Sequence, residues 1–346
     1  MPTSSSDENL FILLNNISNE INRYFSIFIF LFGVIGNILN IFVLSQRKLR
    51  SNPCAWLFLT SSIANLFAIL SAITTRMLAG WTIDPTDTIG WLCKLRGFII
   101  YSSRTAAYWL IVLAVIDRWL LSSTSVRHRQ LATLKNAQRG AIIILIISSL
   151  LYAEIFYCYE ANLINTPLPC YTKNTLCRYI IDISIFVMGI LLPVLLMITF
   201  GLMTISNINR SHRRVHALAM FFVGNSTIEP SISLIGQQQN QQEAKQEKKV
   251  DRNLLKMLLI QVILLTLFIL PLVLEKIYSM LIRPNKFPLE AAIDSLVYNI
   301  ALLLCYLTNG IPFYIYTLFG RSVFRNVLLD LFRKIAQKLL TMEVQK

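Results

Sequence analysis

Charge is scarce in this chain. Charged residues make up 14% of its 346 positions and hydrophobic residues 55%, where a soluble domain carries about 25% charge. That excludes an ordinary water-soluble fold and points to lipid as the solvent. Histidine is almost missing: the three present, His128, His212 and His216, fall in expected loops or helix ends. A zinc site is therefore not expected, and neither is an intramembrane enzyme, which needs a base or metal ligands inside the helices. Six cysteines are too few for a disulfide scaffold in a chain this long. Internal repeats, a glycine-rich phosphate loop and acidic relays within apolar runs are also missing, which argues against a secondary transporter. The stretch from Met1 to Glu20 is polar and lacks a basic n-region, so a cleavable signal peptide is not expected and the first apolar run serves as its own targeting signal.

What the chain has is long apolar runs. Crossing ~30 Å of hydrocarbon takes about 20 residues of helix, and stretches near 24–45, 55–79, 91–121, 141–160, 179–206, 254–274 and 291–318 reach that length. The expected fold is an all-α membrane protein, a seven-transmembrane helix bundle. The third and seventh runs are the least purely apolar, as suits helices facing a bundle interior. The net charge of +14 is not a nucleic-acid signature, because the basic residues lie between and after the apolar runs, where they face a bilayer surface. Most of the 32 Lys and Arg fall on one set of connections: Arg47, Lys48 and Arg50, then residues 118–139, residues 210–256 and the C-terminal segment. This bias puts the N-terminus outside and the C-terminus inside.

The expected organisation is an extracellular tail at 1–23, a seven-helix domain at 24–319, and an amphipathic eighth helix with a cytoplasmic tail at 320–346. An inner loop at about 207–250 is expected to be disordered, since its glutamine-rich centre from Gln237 to Gln242 cannot bury enough apolar surface to fold. Phe324, Leu328, Leu331, Phe332 and Ile335 recur at helical spacing among Arg325, Arg333 and Lys334, as in a helix lying on the inner membrane face. A partner-binding tail helix is the competing reading. Asn16-Ile17-Ser18 is a glycosylation sequon on the outer side; Asn225-Ser226-Thr227 falls in the inner loop and is expected to stay unmodified.

Asp117-Arg118-Trp119 closes the third run, 25 residues after Cys93, so one helix carries a cysteine at one surface and an arginine about 37 Å away at the other. Alone, the tripeptide reads equally as an interfacial charge cluster. It is accompanied by Gly36-Asn37 in the first run, Trp81 in the first outer loop, Pro193 in the fifth run and Pro271 in the sixth. The seventh run closes on Asn309-Gly310-Ile311-Pro312-Phe313-Tyr314-Ile315-Tyr316. In this order, over about residues 24–332, the set resembles the rhodopsin-like family of G-protein-coupled receptors. The Phe313-Tyr314-Ile315-Tyr316 ending is similar to that of invertebrate neuropeptide receptors.

The resemblance implies a plasma-membrane receptor without cofactor or metal, with an extracellular ligand and a heterotrimeric G protein as partners. It implies a bridge from Cys93 to Cys170, with Cys177 as the other candidate and Cys158 available for a second bridge; Cys54 and Cys305 read as packed free thiols. It implies that Arg118 pairs with Asp117 at rest, with Asp251 as a second acidic partner or a solvated loop-end charge. Activation swings the sixth helix outward and opens a cavity beside Asp117, Arg118, Trp119 and Tyr316. Pro193, Pro271 and Pro312 are hinges or tolerated kinks, and buried amides at Asn37, Asn65 and Asn309 need partners across helices, directly or through water. The chain departs from the family at Trp119 for tyrosine, Asn65 for aspartate, Ile269 for tryptophan and Gly201 for tyrosine. The loss of the Asn65 carboxylate weakens or abolishes the family's sodium site.

Ile100 stands where amine receptors carry an aspartate, which disfavours a monoamine, and the seventh run has no lysine for retinal. Arg76 and Arg104 lie in the outer half of the bundle, with Lys94, Arg96, Glu275 and Lys276 near the rim. A charge at membrane depth is a functional site by default, and Arg104 lies 14 residues, about 21 Å, outward of Arg118. Arg104 with Arg76 either receives an acidic group of a peptide ligand or pairs internally with Glu154 or Glu275. A ligand-independent scaffold on the receptor fold is the alternative function, ahead of a transporter.

Overall fold

The computed structural model describes residues 5–79, 81, 83–163, 169–223, 256–278, 288–319, 324–330, 333 and 337. Seven helices are long and apolar enough to cross a bilayer: Glu8–Leu44, Pro53–Leu78, Gly90–Ser122, Leu134–Cys158, Thr175–Ile208, Lys256–Tyr278 and Ala292–Gly310, here helices 1 to 7. They form one bundle, as the seven apolar runs predict. Helix 3 is central, with 67% of its most apolar stretch buried against 22% for helix 5. Ile142, Ile143, Ile146 and Leu150 of helix 4 are exposed, an apolar outer face fit for lipid rather than water.

The boundaries depart from expectation in two places. Residues expected to form a free tail are helical from Ser5 to Glu20 and run through a π-helical turn, Ile21–Phe25, into the rest of helix 1. Glu8, near its start, suits the positive end of such a helix. Its less exposed positions, Phe11, Leu14, Asn15 and Ser18, recur at helical spacing, and this face packs on helix 7. Helix 5 continues to Val223, well into the stretch expected as inner loop, because 207–223 contains no helix breaker. The Gln-rich centre, the Asn225 sequon and Asp251 lie outside the described residues. The bundle is all-α as expected, and the connection between helices 4 and 5 adds a short two-stranded hairpin, Tyr159–Glu160 with Tyr171–Thr172, paired Tyr159 to Thr172 and Glu160 to Tyr171.

Two disulfides hold this hairpin to the helices. Cys93 at the start of helix 3 bonds Cys170, and Cys158 at the end of helix 4 bonds Cys177 in the first turn of helix 5. Cys177 is thus committed to the second bridge, and Cys54 and Cys305 are buried thiols. The connection between helices 2 and 3 folds onto the same cap. The Asp84 carboxylate accepts from the Thr86 amide and hydroxyl at 2.9 and 2.8 Å, Arg96 pairs with Asp84 at 3.5 Å, and the Asn162 amide reaches the Asp87 carbonyl at 2.9 Å.

Proline shapes two helices in different ways. Ahead of Pro193 the backbone widens into a π segment, Ile185–Leu191, which accommodates a residue without an N–H in mid-helix. The Trp109 indole of helix 3 donates to the Met188 carbonyl at 2.8 Å, so the bulge is tied to the neighbouring helix. Helix 7 ends at Gly310, and a new helix, Pro312–Phe319, starts with proline at its first position, where the missing N–H costs nothing. Residues 324–330 are helical, and Phe324 is buried against Phe313 and Tyr316; Leu331 and Phe332 lie outside the described residues.

Candidate functional site

Two polar constellations lie along helix 3, one at its Arg118 end and one around Arg104 near its middle. At the Arg118 end, Arg118 is buried at 4% exposure and pairs with Asp117 at 3.3 Å. Its Nη2 also donates to Asn52 Oδ1 at 2.8 Å, across to the turn that opens helix 2. Trp119 packs between His128 and Phe200, filling the space between the short helix Val126–Leu131 and helix 5. Tyr316 is fully buried; its hydroxyl donates to Gln261 of helix 6 at 2.9 Å and its ring meets Phe58 of helix 2. Asp117, Arg118, Trp119 and Tyr316 therefore share one end of the bundle, with Tyr316 tied to helix 6 and Arg118 to helix 2. Asn52 and Gln261 are absent from the expected set. Gln261 carried a signal, being a lone amide in an apolar run; Asn52 carried only that of a helix N-cap.

Between the two ends lie the buried amides. Asn37 donates to the Gly33 carbonyl at 2.8 Å and to the Asn309 carbonyl at 2.9 Å. The Asn309 side chain, expected to bond across helices, has neither amide atom hydrogen-bonded among the described residues, and Asn65 Oδ1 is likewise unpaired. Helices 1 and 7 approach closely beside Asn37. A Cβ on Gly310 would lie 2.9 Å from Gly33 Cα, and one on Gly36 would lie 3.2 Å from the Gly310 carbonyl. At this spacing Asn37 reaches main chain directly. Tyr314 stacks on Phe32 at 3.9 Å and donates to its carbonyl at 3.2 Å, which extends the seam past Pro312.

Near the middle of helix 3, 11 residues after Cys93, Arg104 is buried at 6% exposure. Its Nε donates to Tyr108 Oη at 3.3 Å and its Nη2 to Cys305 Sγ, while the rings of Tyr108 and Tyr306 face the guanidinium at 5.8 and 5.7 Å. Tyr108 Oη meets Thr308 Oγ1 at 3.2 Å, so Arg104 bridges helices 3 and 7. Arg76 of helix 2 donates to Asn299 Oδ1 at 2.9 Å, and Asn299 Nδ2 donates to Ser18 Oγ at 2.8 Å. Among the described residues neither Arg104 nor Arg76 pairs with a carboxylate. The internal pair with Glu154 or Glu275 is thus not formed; one carboxylate oxygen of each is buried without a hydrogen bond. Of the expected rim cations, Arg96 is held by Asp84 and Lys276 by Asp182 at 3.1 Å. Ile100, one turn before Arg104, is buried. Asn16 is exposed on helix 1, two residues before the bonded Ser18.

Each constellation thus centres on a buried arginine, Arg118 in one and Arg104 in the other. No group of three or more metal-ligating side chains exists among the described residues. The model of one protein family, described as 7 transmembrane receptor (rhodopsin family), matches residues 36–316. Galanin receptor 2b of Danio rerio is 28% identical over 192 residues, covering 53% of this chain and 48% of that protein. Galanin receptor type 3 of Mus musculus is 26% identical over 178 residues, 48% of this chain and 46% of its own. Rhodopsin of Ictalurus punctatus is 31% identical over 98 residues, 27% of this chain and 32% of its own. The chain thus spans half or less of the length of these relatives.

Proposed function

The chain belongs to the rhodopsin family of seven-transmembrane receptors, and from that premise we propose that it passes the binding of an extracellular peptide to a heterotrimeric G protein. The family is one of multi-pass membrane receptors and not of enzymes. The plasma membrane is its proposed location, with the N-terminus and the disulfide-linked hairpin outside and Arg118 inside, as the Lys and Arg bias requires.

The observation that carries this reading is Arg104: a buried cation without a carboxylate partner among the described residues, on the same helix as the Asp117–Arg118 pair. A peptide carboxylate or acidic side chain completes the guanidinium's hydrogen bonding, and Arg76 of helix 2 supplies a second cation. Burial makes such a pair strong because water does not compete. The named relatives include receptors of galanin, which supports a peptide over a monoamine. Ligand binding then biases a two-state element. At rest Tyr316 holds helix 6 through Gln261, and Arg118 stays on Asp117 and Asn52. In the active state helix 6 moves outward about Pro271 and Arg118 turns to the G protein. Asn37, Asn65, Asn309, Pro193 and Pro312 form the flexible polar seam through which the ends communicate.

The test is nucleotide exchange on a panel of G proteins in membranes that contain the chain, challenged with galanin and a broader peptide library, with Arg118→Ala as control. Peptide-driven exchange that disappears in the variant supports the proposal. Silence across the library refutes it and favours the non-signalling scaffold, a reading supported by Ile269 and Asn65 at positions where the family carries tryptophan and aspartate.

A further inference from the structure

Asn52 joins two structures through one oxygen. Its Oδ1 accepts from the Cys54 and Ala55 amides at 3.0 and 3.4 Å, which caps helix 2 ahead of Pro53. The same atom accepts from Arg118 Nη2 at 2.8 Å. The backbone around it is fixed on both sides: the Asn52 amide donates to the Leu49 carbonyl at 3.0 Å, and the Trp56 amide donates to the Asn52 carbonyl at 3.0 Å. Leu49 is itself buried. The guanidinium therefore meets an acceptor that capping has already placed.

We propose that Asn52 is the positioning residue that retains Arg118 in the resting receptor, by lending the capping oxygen of helix 2 to the guanidinium. The inference rests on the coupling role given to Arg118 above. Asp117 sits beside Arg118 on the same helix and moves with it, so that pair does not resist motion between helices. Asn52 belongs to a different segment, and the contact breaks when Arg118 turns toward a G protein. The hold is also releasable. Its acceptor is neutral, and the N-terminus of helix 2 carries positive partial charge that disfavours a cation nearby. When Arg118 leaves, Asn52 keeps both capping bonds, so release leaves no stranded acceptor.

The dual use permits variants that separate the two roles. Serine is a good N-cap but is too short to reach Arg118 from the same backbone, so Asn52→Ser keeps the cap and loses the hold. Asn52→Asp keeps the cap and adds charge to the hold. A hydrogen bond to a charged group, present in one state of a two-state equilibrium, shifts its populations by about tenfold or more. Two readouts apply to the full chain in membranes. One is agonist-free nucleotide exchange per surface receptor. The other is the distance between spin labels at Arg50→Cys and Lys256→Cys, both exposed positions, in a background whose free thiols Cys54 and Cys305 are buried. The expected result is a rise of about tenfold in the long-distance population and in basal exchange for Asn52→Ser, with Asn52→Asp at or below the parent. Distances in Asn52→Ser that match the parent overturn the proposal, as does an equal rise in both variants. Shifted distances with no exchange in any chain leave the hold standing and refute coupling instead.

Discussion

Removal of Arg104 tests the ligand site most sharply. In the free protein its guanidinium bonds Tyr108 Oη and Cys305 Sγ and faces two tyrosine rings. Arg104→Ala gives these up, but Tyr108 keeps Thr308, so the free protein is left without a stranded buried charge and is expected to reach the surface. The bound state loses more. A hydrogen bond from the cation to a ligand carboxylate contributes about 1.5–3 kcal/mol, and tenfold in affinity corresponds to about 1.4 kcal/mol. The half-maximal peptide concentration in the exchange assay is therefore expected to rise by about 10- to 100-fold. Arg104→Lys retains charge without the planar fork and is expected to fall between. Surface expression measured on the same cells separates binding from folding. A half-maximal concentration within about threefold of the parent, a change near the 0.5 kcal/mol scale of a neutral surface substitution, refutes the argument.

Three further outcomes follow from the geometry. Gly310→Ala puts a methyl group 2.9 Å from Gly33 Cα and 3.0 Å from the Phe32 ring; overpacking of this kind costs about 1–3 kcal/mol, to be read as a lower melting temperature of the solubilised receptor, and an unchanged melting temperature sinks it. Gln261→Leu removes the acceptor of the Tyr316 hydroxyl and is expected to raise agonist-free exchange several-fold, since one buried hydrogen bond is worth about 1 kcal/mol; basal exchange equal to the parent contradicts the tie between helix 6 and the helix Pro312–Phe319. In the cap, burial and then the neighbouring Asp84 raise the Asp87 carboxyl above its usual 3.8. The folded state therefore favours the protonated form, a contribution present below 3.8 and lost as pH rises through the elevated value. Asp87→Asn is expected to melt higher than the parent at pH 7 and equal to it near pH 3.5, as follows from the same linkage at about those values; the same difference at both pH values rules the effect out.

The bundle was legible because a membrane span is a local property: about 20 consecutive apolar residues suffice to define it. The ends of helix 3 were legible for the same reason, since Cys93 and Arg118 lie on one helix at a countable distance. The N-terminal helix was not, because its apolar run, Leu10 to Leu14, is only five residues long between polar flanks, and only packing on helix 7 shows which face is buried. Partners were the least legible feature. Gln261 and Tyr316 are 55 residues apart, Asn299 and Ser18 are 281 apart, and Arg118 and Asn52 are 66 apart. Such pairs depend on how the helices cross, which hydropathy does not encode. The glycines at 33, 36 and 310 set one crossing, and there Asn37 meets the expectation of a partner across helices through the Asn309 carbonyl.

The central claim is that this receptor couples through Arg118. Nucleotide exchange on a G-protein panel, in membranes carrying the parent chain or Arg118→Ala at matched surface levels, tests it most directly. Exchange above background that a peptide increases and that Arg118→Ala abolishes is the predicted result. Equal exchange with and without Arg118 contradicts the account.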